Sequence, residues 1–266
     1  MLGGLTGFTN NTGTDWGERL LNSVAGKTIR HMFTQSESVE VAVRCYPSSK
    51  LLQGSIDSFK MSGRGLVIRR EFRTEEMSFE TDAVSIDFSC VMQGQIRLKQ
   101  PTQAVVQVTL TQADINQSFQ AELVQKRLQD ISTPALTDLS GGQPVSFTEV
   151  QVQLLPENQV QIFAQADLGE KGLVPVSMKS TLVAERRRRI RFKDPKFQPE
   201  AVPEESREIS QTLTSAFAEI LDNMVDLDRF NLDGVTMRIN RLETQGDKLI
   251  FSGYAQIERV PNNPWL

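Results

Sequence analysis

Apolar residues recur every second position through much of this chain, and that period limits the folds open to it. Val39, Val41, Val43 and Cys45 alternate with polar neighbours, and Val150, Val152 and Leu154 alternate with Gln151 and Gln153. Such spacing puts the apolar side chains on one face of an extended strand. Further strand segments are expected at 55–62, 71–87, 94–98, 104–110, 160–168, 174–192, 235–242 and 248–258. Many half-apolar strands are satisfied together only in large antiparallel sheets. Three stretches break the rule and change to a period near 3.6. The first, 15–33, starts at Thr14 and carries Trp16, Leu20, Leu21, Val24, Ala25, Ile29 and Met32. The second starts at a capping-box-like Thr111 to Asp114 and runs through Ile115, Phe119, Leu123, Val124 and Leu128. The third follows Pro203, with Glu204 and Glu205 at the positive end of the helix dipole and Ile209, Leu213, Phe217, Ile220, Leu221 and Met224 on one stripe. The class expected is α+β, with curved antiparallel sheets around three amphipathic helices.

Composition removes most chemistry. With one histidine, His31, and two cysteines, Cys45 and Cys90, the chain cannot assemble a His-rich zinc site or a Cys-x-x-Cys pair. His31 falls late in the first helix and reads as a helical histidine, Cys90 as a small packing residue, and Gly63-Arg-Gly65 as a bulge or bend in a strand. No catalytic constellation remains, and neither metal nor cofactor is expected. Two isolated cysteines fit a reducing compartment. A net charge of −4 argues against a generic polyanion binder. No secretory-type leader opens the chain, and no apolar run nears the ~18 residues of a membrane span. The expected location is therefore cytoplasmic, or peripheral on the cytoplasmic membrane face. Segments 149–168 and 235–257 form a weak internal repeat, each reading as a hairpin after a helix, with turns at Pro156 to Asn158 and Gln245 to Asp247.

Glu185-Arg-Arg-Arg-Arg-Ile-Arg-Phe-Lys193 is the most unusual local run. Read as a strand, it puts Arg187, Arg189 and Arg191 on one side and Arg186, Arg188, Ile190 and Phe192 on the other. Such a row either protects a sheet edge or recognises phosphate, on a lipid headgroup or on nucleic acid. The lack of interleaved aromatic residues counts against nucleic acid.

A resemblance rests on a series of short motifs in fixed order. These are Gly54-Ser-Ile-Asp57, Gly63-Arg-Gly-Leu66, Thr81-Asp82, Ile86-Asp87, Gly94-Gln-Ile-Arg-Leu-Lys-Gln-Pro-Thr102 and Val108-Thr-Leu-Thr-Gln-Ala-Asp-Ile-Asn116. The chain resembles the LmeA-like phospholipid-binding family, in which a Leu-Thr-x-x-Asp-Leu-Asn helix start follows a Gly-x-Ile-x-Leu-x-x-Pro segment; Ile115 stands where the family has leucine. The resemblance spans about residues 36 to 260. It implies an elongated lipid-binding-type barrel with an apolar groove for acyl chains, and neither catalysis nor metal. Family members of the bacterial envelope are exported or anchored, a feature this sequence does not display, and no site residue is carried over.

Together these readings predict a noncatalytic module for phospholipid or glycolipid, carrying lipid or maintaining a membrane envelope, with a peripheral scaffold protein as the alternative. The expected organisation is an N-terminal amphipathic helix (1–35), a lipid-binding domain (36–260) and a short tail (261–266). Each buried methylene contributes about 0.8 kcal/mol, so acyl chains bind well without polar contacts. The candidates for the groove are Ile115, Phe119, Leu123, Leu213, Phe217 and Ile220; those for the headgroup are Arg186, Arg187, Arg188, Arg189 and Arg191. An anionic membrane surface is a further expected partner, and nucleic acid is not. The first helix either packs on the sheet or lies on a membrane.

Overall fold

The computed structural model describes residues 12–47, 49–229 and 234–260, with side chains from residue 18 onward in the first helix. The Trp16 side chain, residues 1–11 and the 261–266 tail therefore lie outside the described residues. In chain order the elements are α1 (Thr12–Arg30), β1 (Ser38–Arg44), α2 (Ser49–Leu52), β2 (Ser55–Ile56), β3 (Ser58–Ile68), β4 (Phe72–Thr81), β5 (Val84–Ser85), α3 (Phe88–Met92), β6 (Thr102–Thr111), α4 (Gln112–Ser118), α5 (Glu122–Leu128), α6 (Pro134–Ser140), β7 (Ser146–Leu154), β8 (Gln159–Asp167), β9 (Leu173–Glu185), β10 (Arg189–Phe197), α7 (Arg207–Asp222), β11 (Val235–Gln245) and β12 (Lys248–Ile257). Short 3-10 turns join some of these.

The strands form two antiparallel sheets, ordered β1-β3-β4-β6-β12-β11 and β10-β9-β8-β7, with β2 and β5 as a separate pair. The α+β class and the antiparallel pairing agree with the alternating period. The barrel does not form: among the described residues no pairing joins β1 to β11, and both sheets stay open. The exposed edge of β1 is covered in another way. The Cys45 and Val43 amides donate to the side chains of Glu18 (2.9 Å) and Asn22 (2.7 Å), and Arg30 donates to the Val39 carbonyl (3.3 Å). α1 thus runs antiparallel to β1 and takes up backbone groups that a further strand would otherwise seek.

Seven α-helices occur among the described residues where three were expected. α1 and α7 match the first and third stripes closely. The second stripe is broken into α4 and α5 at Phe119 to Ala121, since α4 is pinned at its start while α5 packs along β7 through Leu128. The segment 94–98 is not a strand; it runs irregularly, held by the isolated Ile86–Leu98 bridge and by the packing of Ile96 and Leu98. Both arms of the internal repeat are hairpins, β7-β8 and β11-β12.

The start of α4 ties the two sheets together. Thr111 and Asp114 form a reciprocal capping box, and the buried Asp114 carboxylate accepts from Arg73 of β4 at 2.8 Å. Arg73 also pairs with Glu37 at 2.9 Å and Glu75 at 3.0 Å. On the other side, Asn116 exchanges two hydrogen bonds with the Val152 backbone (3.1 and 2.7 Å), and Gln112 accepts from the Leu154 amide (2.9 Å). A second clamp lies at the β7-β8 turn, where Asn158 exchanges bonds with the backbone of Leu242 and Thr244. The family-like Thr-x-x-Asp-Ile-Asn motif is thus the joint between sheets.

Burial alone would raise the Asp114 pKa, but hydrogen bonding from Thr111 and then from Arg73 outweighs it and holds the carboxyl below the usual carboxylate range. A depressed folded-state pKa gives stability that is complete above the unfolded value and is lost as pH falls through the folded one. Asp114→Ala, which removes the cap and the buried pair while leaving Arg73 its two glutamates, is expected to cost about 2–3 kcal/mol in urea unfolding at pH 7. That difference from the parent should shrink below about pH 4; an undiminished difference at pH 3 would contradict the assignment.

Candidate functional site: an apolar cavity under the first helix

The two sheets are packed in different ways. Around the four-stranded sheet, α4 to α7 complete one continuous buried cluster running from Leu128 through Ile162 and Phe217 to Leu249. The six-stranded sheet gives Ile239, Leu242 and Leu249 to that cluster, and its other buried residues, with those of α1 and the neighbouring segments, fall into three separate clusters, centred on Leu21 with Ile86, on Val106 with Ala255, and on Met61 with Leu66. A cavity of about 270 Å³ lies among the three.

Its walls follow from local sequence. α1 turns Leu21, Ala25 and Ile29 towards the sheet, Phe33 follows from the turn after it, and the alternation of β3, β4, β6 and β12 brings up Met61, Met77, Phe79, Val106, Ala255 and Ile257. From the irregular 94–99 segment, Ile96 and Leu98 complete the lining, with Val235 and Met237 from β11. The lining residues with a polar side chain are Thr28, Thr81 and Thr102. The Thr81 hydroxyl is engaged by the Asp82 carbonyl at 2.8 Å. Practically no polar surface faces the cavity. Several large lining residues, Phe33, Phe59, Met77 and Phe79 among them, remain only half-buried, unlike their counterparts on the other sheet. Such walls offer apolar contact and no hydrogen bonds.

The six residues expected to form a groove are placed elsewhere. Leu213 and Phe217 of α7 are fully buried, and the Phe217 ring stacks on Phe147 with centroids 4.6 Å apart. Ile115, Phe119 and Ile220 pack half-buried against the same cluster, and Leu123 faces solvent. The structure brings five of the six together around the four-stranded sheet; none of the six lines the cavity. The cavity residues escaped the sequence reading because each segment gives only two or three of them. Alternation shows which face of a strand is apolar; it does not show what covers that face.

The arginine run is a strand only from Arg189 onward; its first three arginines form a hairpin turn. β9 ends at Glu185, β10 begins at Arg189, and residues 186–188 make the connection with positive φ at Arg186 (48°) and Arg187 (59°). Arg187 lies over the Tyr254 ring at 5.9 Å, and its carbonyl accepts from the Ile239 amide, bonds that hold this left-handed backbone in place. Most of the charge is neutralised locally. Arg188 pairs with Asp228 at 2.5 Å, Arg189 with the buried Asp226 at 2.7 Å, and Arg191 with Glu185 at 2.9 Å and Asp222 at 2.8 Å. These contacts hold the Asp228 and Glu185 carboxyls below their usual range, the first by Arg188 and Arg238, the second by Arg191. Arg186 and Arg187 stay exposed at the tip.

Cys45 is buried, its thiol donates to the Ser55 carbonyl at 3.3 Å, and burial pushes its pKa up, which makes it a packing residue and a poor nucleophile. Among the described residues no three His, Cys, Asp or Glu side chains are arranged to hold a metal ion, and no helix is long and apolar enough to cross a membrane.

The family model described as LmeA-like phospholipid-binding matches residues 12–253 of the 266, nearly the whole chain. Comparison with curated proteins and with solved structures finds no match. The matched span takes in α1, the walls of the cavity up to β12 and the Thr111 to Asn116 joint.

The burial of Phe217 gives a direct expectation. Phe217→Ala removes a stacked ring from the filled core and should lower stability by about 3–5 kcal/mol, measured by urea denaturation. A cost under about 1 kcal/mol would mean that this core is looser than its packing indicates.

Proposed function

The chain belongs to the LmeA-like phospholipid-binding family, and from that premise we propose that the cavity under α1 takes the acyl part of a phospholipid or glycolipid, without catalysis. The observation that carries this reading is the contrast between the two sheets: one core is continuous, and the other is divided around an apolar volume that no side chain of the described residues fills. A carbon chain laid against these apolar walls gains about 0.8 kcal/mol per methylene taken out of water.

The same walls dictate where the headgroup goes. A phosphate or sugar inside this cavity would lose its hydration with no donor to replace it. The chain end enters and the polar end stays at the rim, an arrangement suited to holding or carrying one lipid at a time and to maintaining an envelope by moving lipid between surfaces.

Filling the cavity tests the proposal. Ala25→Phe on α1 and Ala255→Phe on β12 each put a ring into the lining volume. Native mass spectrometry of the purified protein, together with displacement of a fluorescent short-chain phospholipid, should show lipid uptake reduced at least about tenfold. The thermal midpoint of the delipidated protein should hold or rise, since added atoms replace a void. Unchanged uptake in both folded variants would remove this cavity as the lipid site.

A further inference from the structure

The strand register separates the ends of the six-stranded sheet. Arg44, Ser58, Thr81, Thr102 and Ile257 end their strands on one side; Ser38, Ile68, Phe72, Thr111 and Lys248 lie on the other, where α4 joins the second sheet. The first of these ends, remote from the joint, is built from the segment after β1, from α2, from α3 and from the 94–99 segment.

From this end, we infer that the protein docks on an anionic lipid bilayer through Tyr46, Leu52 and Met92, with Arg44, Arg97 and Lys99 contacting the lipid phosphates. The inference rests on the reading of the cavity as a lipid site and says where that site meets its source.

Three observations support it. The first is exposure against a rigid support. Tyr46, Leu52 and Met92 are 74%, 70% and 58% exposed, while the residue preceding each, Cys45, Leu51 and Val91, is at most 3% exposed. Each large apolar side chain therefore stands on a segment whose neighbour is locked in the core. Of the other exposed large apolar side chains, Leu173 lies on the four-stranded sheet and Leu123 and Ile209 on α5 and α7, while Val105 and Tyr254 pair across β6 and β12 three residues in from this end.

Charge is the second. Arg44, Arg97 and Lys99 are exposed and make no ion pair among the described residues. Of the acids nearby, Asp57 is neutralised by Lys50 (2.7 Å), while Glu18 and Asp87 are turned to the Cys45 and Ser89 amides (2.9 and 3.0 Å) and keep their charge. Asp82 and Glu258 are further exposed carboxylates at this end, so the basic character is local to the Arg97 and Lys99 strip and Arg44. Basic side chains at an anionic leaflet with apolar anchors beside them are the arrangement that holds a protein at a membrane interface.

The third is continuity with the cavity. Along 96–99 the residues alternate, Ile96 and Leu98 lining the cavity and Arg97 and Lys99 in solvent. A lipid whose chain lies against Ile96 and Leu98 has its phosphate within reach of these two bases. The docking face and the cavity thus share one strip of chain.

Vesicle flotation of the full chain tests this, comparing phosphatidylglycerol-containing with pure phosphatidylcholine vesicles over a salt series. Three folded double variants are compared with the parent: Leu52→Glu with Met92→Glu, Arg97→Glu with Lys99→Glu, and Arg186→Glu with Arg187→Glu at the hairpin. The parent should float on anionic vesicles and release with salt. The Leu52/Met92 variant should bind at least about tenfold less. The Arg97/Lys99 variant should lose roughly fivefold or more per base, and the hairpin variant should stay within about twofold. Parent-like flotation of both end variants, failure of the parent to float, or loss in the hairpin variant alone would each overturn the docking surface. Uptake of a short-chain phospholipid below its micelle concentration, measured on the same proteins, needs no bilayer; its absence in the parent would overturn the cavity reading instead.

Discussion

Everything in this molecule turns on a carboxylate that cannot leave. Asp114 is buried at the start of a seven-residue helix, and it is kept ionised there by Arg73 and by its own cap. A short helix of that length has little stability of its own. It persists because one end is bonded to the six-stranded sheet and its side chains Gln112 and Asn116 to the edge of the four-stranded one. Buried ion pairs are weak sources of net stability but strong sources of geometry. Here the geometry sets one sheet against a helix layer and leaves the other to α1.

The difference in helix supply explains the difference in core. Four helices, α4 to α7, share the four-stranded sheet and close its apolar face. The larger sheet has six strands and one long helix, assisted only by the small α2 and α3 elements. One helix is about 10 Å across, and six strands at about 4.8 Å spacing are more than twice as wide. An apolar volume on that face is a geometric result of the arithmetic, and methionine and phenylalanine, large and adaptable, line it.

How much of this was legible in the sequence depended on whether the signal was local. Strand alternation at Val39 to Cys45 and Val150 to Leu154, the helical stripes of α1 and α7, and the cap at Thr111 are local patterns, and each appears where it was expected. The break at Phe119 to Ala121 was not legible, because it answers to contacts with two sheets far away in sequence. The turn at Arg186 to Arg188 was hidden for the opposite reason. Its residues carry no glycine, proline or asparagine, and the left-handed backbone is held by the Ile239 amide and the Tyr254 ring rather than by local preference. For the cavity, the family resemblance points towards lipid but not to a place, since filled and unfilled apolar faces look the same in one dimension.

The bonds from Glu18, Asn22 and Arg30 to β1 have a consequence for proteolysis. Clipping away the first thirty residues would widen the apolar chamber, and the same cut would strip the cover from a seven-residue strand edge. An uncovered edge recruits other chains. The trimmed molecule would therefore gain a seam for polymerisation along with its larger opening, and a cell that needs this protein dispersed must keep the helix attached.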